Sequence, residues 1–195
     1  MFTDLDTLEV IISNCSELDR YMFSHTCKDF HTKFKVKSLD KLCELAARNG
    51  YLNLLQLLRV NECKWDSWTC AAAARYGHLE LFKWARTNGC NWNSTTCAAA
   101  ACGGHLETLK WALANGCSRD FRVCFGAAKE GHIEILKWAK ENICGWNSGI
   151  CTRAAQSGQL ETLKWARLNG CEWDPVACAE AAKSHPEILE WINVQ

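Results

Sequence analysis

The sequence has no excess of charge: 22 Lys and Arg balance 22 Asp and Glu. No run of Lys and Arg is longer than two residues, so nothing resembles the basic stripe that engages a phosphate backbone. Nucleic acid is therefore not expected as a ligand. No apolar run approaches the ~18–20 residues that cross a bilayer, which argues against a membrane partner. The opening MFTDLDTLEV is acidic and lacks the charged-then-apolar order of a secretory signal. A soluble intracellular chain is expected, in the cytoplasm with the nucleus as the alternative. Catalytic signatures are missing too: there is no G-x-S-x-G, no G-x-x-x-x-G-K and no H-E-x-x-H. An enzyme is not expected. No C-x-x-C pair occurs, which removes the common zinc spacing, and neither metal nor cofactor is expected.

What the chain has in quantity is cysteine, at 14 residues, and tryptophan, at 10. Both excesses come from repetition. GHLELFKWARTNGC, GHLETLKWALANGC, GHIEILKWAKENIC and GQLETLKWARLNGC follow one another at intervals of 27 residues. Gly50, Gly77, Gly104, Gly131 and Gly158 share that spacing, as do Cys43, Cys70, Cys97, Cys124, Cys151 and Cys178. Cys63, Cys90, Cys117, Cys144 and Cys171 form a second cysteine ladder. Trp84, Trp111, Trp138 and Trp165 form a third, continued at Trp191 after a one-residue deletion, with Leu57 in the first unit. A fixed period of this length marks a row of stacked supersecondary units.

Each unit reads as two short helices. Asp66, Asn93, Asp120, Asn147 and Asp174 stand where a side-chain oxygen can accept the orphan N–H groups of a first helical turn. Pro175 occupies the first helical position, where a missing N–H costs nothing. Alanine pairs follow, from Ala73–Ala74 to Ala181–Ala182, small enough for neighbouring helices to approach closely. The recurrent glycine then closes the helix in the left-handed conformation. The second helix, typified by HLETLKWALA, carries apolar residues at helical spacing and stops at Asn–Gly in three units. One hairpin cannot bury its own stripe, so each must lend a face to the next. A buried Trp removes up to ~250 Å² from water, roughly 5 kcal/mol before entropy, which favours core over an aromatic ligand groove. The cysteines are expected to be small buried apolar thiols. Equivalent positions on stacked helices lie ~8–10 Å apart, beyond disulfide reach. Within the repeats Cys102 breaks the pattern, near the end of a first helix, and is expected near the surface. His78, His105 and His132 open their second helices and are expected to cap them.

The stretch TTCAAAACGGHLETLKWALANGC resembles the ankyrin repeat, with Thr95, Ala100, Ala101, Gly104, His105, Leu106 and Gly116 on matching positions. The usual unit has 33 residues; these have 27, the difference falling in the extended finger between units. The Cys- and Trp-rich short form looks like repeats abundant in giant DNA viruses. The resemblance implies an all-α solenoid of stacked helix-turn-helix units over residues 38–195 that holds a protein target. It would work in the host cytoplasm if viral, as a monomer. The last unit loses its glycine, and Glu187, Glu190 and Asn193 suit a solvent-facing cap.

Residues 1–37 carry no copy of the repeat. LDTLEVIISNCSELDRYMFSHTCKDF resembles an F-box: Leu8, Ile11, Ile12, Ser13, Cys15, Asp19, Cys27, Lys28 and Phe30 fall in its register. The leading Leu-Pro is absent, and Arg20 stands where the family has Leu. The resemblance implies a small helical segment. Leu8, Ile11, Ile12, Cys15, Phe23 and Cys27 would dock onto a Skp-type subunit of a cullin–RING ubiquitin ligase. The alternative keeps the repeats as a binding scaffold with these residues as an end cap. In ankyrin stacks the target meets the side formed by the first helices, where positions should vary between units. Trp68, Arg75, Tyr76, Arg119, Phe121, Arg122, Lys129 and Arg153 are the target-binding candidates on that basis. Phe121 between Arg119 and Arg122 has the aromatic-plus-Arg character of an interface centre.

Overall fold

A computed structural model describes residues 41–60, 62–143 and 146–194. Leu8, Ile11, Ile12, Cys15, Phe23 and Cys27, and with them the whole F-box-like segment, lie outside the described residues, as does Cys144. Among the described residues all regular structure is helical, in six two-helix units. The first helices are α1 (Leu42–Arg48), α3 (Ser67–Arg75), α5 (Ser94–Cys102), α7 (Arg122–Glu130), α9 (Ser148–Gln156) and α11 (Pro175–Ala181). The second helices are α2 (Leu52–Val60), α4 (Leu79–Thr87), α6 (Leu106–Ala114), α8 (Ile133–Asn142), α10 (Leu160–Leu168) and α12 (Pro186–Asn193).

Local chemistry sets the boundaries. The Trp68 N–H donates to Asp66 Oδ1 at 2.9 Å and the Thr95 N–H to Asn93 Oδ1 at 3.0 Å, with the same contact at Asp120, Asn147 and Asp174. The second helices end on a repeated device: the Asn88, Asn115, Asn142 and Asn169 side-chain amides each donate to the carbonyl of the Trp four residues back.

Backbone approach between units is concentrated on the first helices, which touch their neighbours all along the row. The alanine pairs make this possible: Ala73, Ala74, Ala100, Ala101, Ala127, Ala128, Ala154 and Ala155 have no exposed surface. On the second helices Phe82, Leu109, Leu136 and Leu163 are equally enclosed. At the C-terminal end Ile188 and Ile192 are buried while Glu187, Glu190 and Asn193 face water.

All the tryptophans but the exposed Trp68 are partly buried and packed against that core. Trp84, Trp111, Trp165 and Trp191 of the second helices each meet the linker Trp that precedes their unit. Trp65–Trp84, Trp92–Trp111 and Trp146–Trp165 are edge-to-face at 5.5–6.0 Å. Trp173–Trp191 is tilted at 5.6 Å. A cation from the last turn of the preceding helix lies over the linker ring: Arg59 over Trp65, Arg86 over Trp92, Lys140 over Trp146 and Arg167 over Trp173. Arg59 and Arg86 also donate to the carbonyls of Cys63 and Cys90. One junction lacks this clamp: Arg119 replaces the linker Trp, and Leu113 replaces the cation.

Two expectations change. The histidines open their helices but make no side-chain cap bond there. They reach back instead: His78 Nε2 donates to the Arg48 carbonyl and His132 Nε2 to that of Cys102, both at 3.0 Å, and His185 Nε2 to that of Gln156 at 3.2 Å. Each ring satisfies a first-helix terminus of the previous unit, where carbonyls lack partners. The second cysteine ladder is polar in use. Cys90, Cys117 and Cys171 donate their thiols to the carbonyls of Asp66, Asn93 and Asn147 at 3.1–3.3 Å. Cys70, Cys97 and Cys151 lie beside those same thiols. Hydrogen bonding to Cys90, Cys117 and Cys171, together with burial, pushes their pKa values up.

Candidate protein-binding face

Three first helices form a groove of about 360 Å³, lined by Glu44 and Arg48 of α1, Trp68, Ala71, Ala72, Arg75 and the cap Tyr76 of α3, and Thr95, Ala98, Ala99 and Cys102 of α5. Its floor is open because Ala71, Ala72, Ala98 and Ala99 end at the β-carbon. One unit further on, the place of Ala98 is taken by Phe125. That ring rests where Gly149 has no side chain, and the edge-to-face Phe121–Phe125 pair at 5.1 Å stands there.

Of the candidates named from the sequence, Trp68, Arg75 and Tyr76 line this groove together. Trp68 is 62% exposed, an unusual state for so large a ring. Tyr76 lies under the Arg48 guanidinium at 5.2 Å. Lys129 joins from α7 through a shared carboxylate: Glu130 is 3.7 Å from Arg75 and 3.3 Å from Lys129. Phe121 and Arg122 sit at the start of α7, with Phe121 51% exposed and Arg122 paired to Asp120 at 2.8 Å. Arg153 bonds Gln156 on α9 at 2.8 Å, away from the groove lining. Arg119 is exposed in the linker, in the register of the clamped tryptophans.

Arg48, Glu44 and the floor alanines were not singled out in the sequence. Of these alanines Ala71 is buried, whereas Ala72, Ala98 and Ala99 are half-buried. Arg48 carried a signal, since it stands 27 residues before Arg75. Cys102 is half-buried at the groove end. Burial pushes its thiol pKa up while the Arg75 guanidinium pulls the other way, so the thiol form is favoured. Among the described residues no group of three or more His, Cys, Asp or Glu is placed to hold a metal ion. No described helix is long and apolar enough to cross a membrane.

No protein-family model matches the sequence, and no characterised protein matches it at the level of sequence. The fold does have a counterpart among solved structures. The human ASB11 ankyrin repeat domain matches with a TM-score of 0.54 at 17% identity, covering 67% of this chain and 70% of that one. The architecture is thus a helical repeat solenoid of the ankyrin type.

Proposed function

We propose that this chain is a non-catalytic adaptor. Its repeats hold a target protein on the first-helix face, and residues 1–37 recruit a Skp-type subunit of a cullin–RING ubiquitin ligase. The observation that carries the target-binding half is the contrast between constant and varying positions. Core residues repeat from unit to unit, whereas the exposed first-helix residues differ and include Trp68, Tyr76, Phe121 and several Arg and Lys. Large exposed aromatics beside Arg are what interface centres are made of. The ligase half rests on the F-box register of Leu8, Ile11, Ile12, Cys15, Phe23 and Cys27. The short period and the Cys and Trp ladders support placing the chain with the repeats of giant DNA viruses, acting in the host cytoplasm.

The test uses full-length protein and purified Skp-type subunit from the host. Wild type should co-purify with that subunit, and the Ile11→Asp, Ile12→Asp double variant should not, with the same thermal melting curve. No complex with wild type, or an undiminished complex with the variant, removes the ligase half and leaves a scaffold with an N-terminal cap.

A further inference from the structure

The charge balance of the chain is zero overall but not locally. On the second helices Glu80, Glu107, Glu134 and Glu161 pair with the Lys three residues on, at 2.6–2.8 Å. Those acids are neutralised where they stand. The ends of the first helices differ: Arg48, Arg75, Lys129 and Lys183 recur at one register, the intervening places hold Cys102 and Gln156, and no acid occupies it. All four cations are exposed.

A cation at a helix C-terminus is favoured by the helix dipole alone, and that accounts for one per helix. It does not account for how they are left. The last-turn cations of the second helices lie over tryptophan rings. By contrast Arg75 and Lys129 share a single carboxylate, Glu130, and Arg48 lies over the exposed Tyr76 ring. Arg48 and Arg75 line the alanine-floored groove together with Trp68 and Glu44, and Lys129 stands one unit beyond Cys102 at the same register. Glu44 and Glu130 offset two of the three cations Arg48, Arg75 and Lys129. The one positive charge left in excess, beside an apolar slot with an exposed indole, is complementary to one kind of occupant.

Resting on the target-binding reading above, we propose that the partner presents an acidic segment with an apolar anchor. Its Asp or Glu side chains meet Arg48, Arg75 and Lys129, and one Leu- or Phe-sized side chain enters between Trp68 and Ala98. Guanidinium–carboxylate contacts orient the segment, and the slot supplies the desolvated centre.

The probes are three fluorescein-labelled peptides of equal length with a central Leu-Phe pair, flanked by Glu and Asp, by Lys, or by Ser and Gly. Anisotropy with the full chain should show binding of the acidic peptide, weakening as NaCl is raised, and no comparable binding of the Lys peptide. The Arg48→Glu, Arg75→Glu variant should weaken the acidic peptide about tenfold or more. Ala98→Phe, which fills the floor as Phe125 does, and Trp68→Ala should weaken it too, with thermal melts showing each variant folded. Equal affinity for the acidic and Lys peptides, or indifference to the charge reversal, overturns the acidic partner. If the Ser/Gly peptide binds as tightly and is lost in Ala98→Phe, the acidic class falls but the binding face stands. If Ala98→Phe and Trp68→Ala leave every peptide and every cross-linked cellular target unchanged, the first-helix reading falls with it.

Discussion

His132 donates Nε2–H to the Cys102 carbonyl at 3.0 Å, thirty residues back, and its ring fills the place where Gly104 would carry a β-carbon. Gly104 has a φ of +80°, and an added β-carbon would lie 2.8 Å from the ring. The glycine therefore meets two demands, a left-handed turn for its own unit and room for the histidine of the next.

Those demands separate experimentally. Gly116 has a φ of +89° with nothing near its missing side chain. Gly116→Ala should cost only the left-handed strain, about 1–2 kcal/mol. Gly104→Ala adds displacement of the His132 ring and should cost about 3 kcal/mol. Urea unfolding of both variants gives the difference; equal losses would mean that the ring moves aside freely.

The same interlock makes stability depend on pH. Burial, and then the neighbouring His132, hold the His105 pKa below its ordinary value of 6.5. The folded chain thus prefers the neutral ring. Above that ordinary value neither state is protonated and the contribution is whole. As pH falls below it the unfolded chain takes up the proton first, and stability declines until the folded-state pKa is passed. Gln159 stands at the same position one unit beyond His132 and does not titrate. His105→Gln should therefore flatten the loss of melting temperature between neutral and mildly acidic buffer.

The unclamped junction predicts coupling between Leu113 and Arg119. Arg119→Trp would restore an indole facing Trp138, and Leu113→Arg would supply the missing cation. Cation–π and edge-to-face terms of ~0.5–1.5 kcal/mol each predict a double variant more stable than the sum of the singles by about 1 kcal/mol. Leu113→Arg alone should destabilise, because it removes a buried Leu. Chemical denaturation of all four proteins closes the cycle; strict additivity would deny the clamp a role.

Glu62 has a φ of +58° at the position where Gly89, Gly116 and Gly170 stand in other units. A non-glycine residue there carries roughly 1–2 kcal/mol of strain, partly offset by the greater freedom of glycine in the unfolded chain. Glu62→Gly should raise stability by about 0.5–1 kcal/mol, read from the urea midpoint.

How much of this could be read in advance follows from how far each interaction reaches. The caps at Asp66, Asn93 and Asp174 and the turn at Gly104 depend on bonds within a few residues, so spacing displayed them. The histidines looked like caps for the same reason: they stand at helix starts, and the carbonyls they bond are in the previous unit. The thiols of Cys90 and Cys117 looked apolar because their acceptors lie 24 residues earlier. Trp68, Arg75 and Tyr76 were visible as variable residues. That Arg48 and the alanines Ala71 and Ala98 make a groove with them was not visible.

By itself the sequence determined the unit, its two helices, its turns and the need to stack, because periodic burial and backbone preference act over short separations and repeat in every copy. Only the tertiary structure decided which ring lies over which cation, which carbonyl each histidine satisfies and where the first-helix face opens. Those outcomes depend on the distance and rotation between successive hairpins, which arise when side chains from different units fill one shared space.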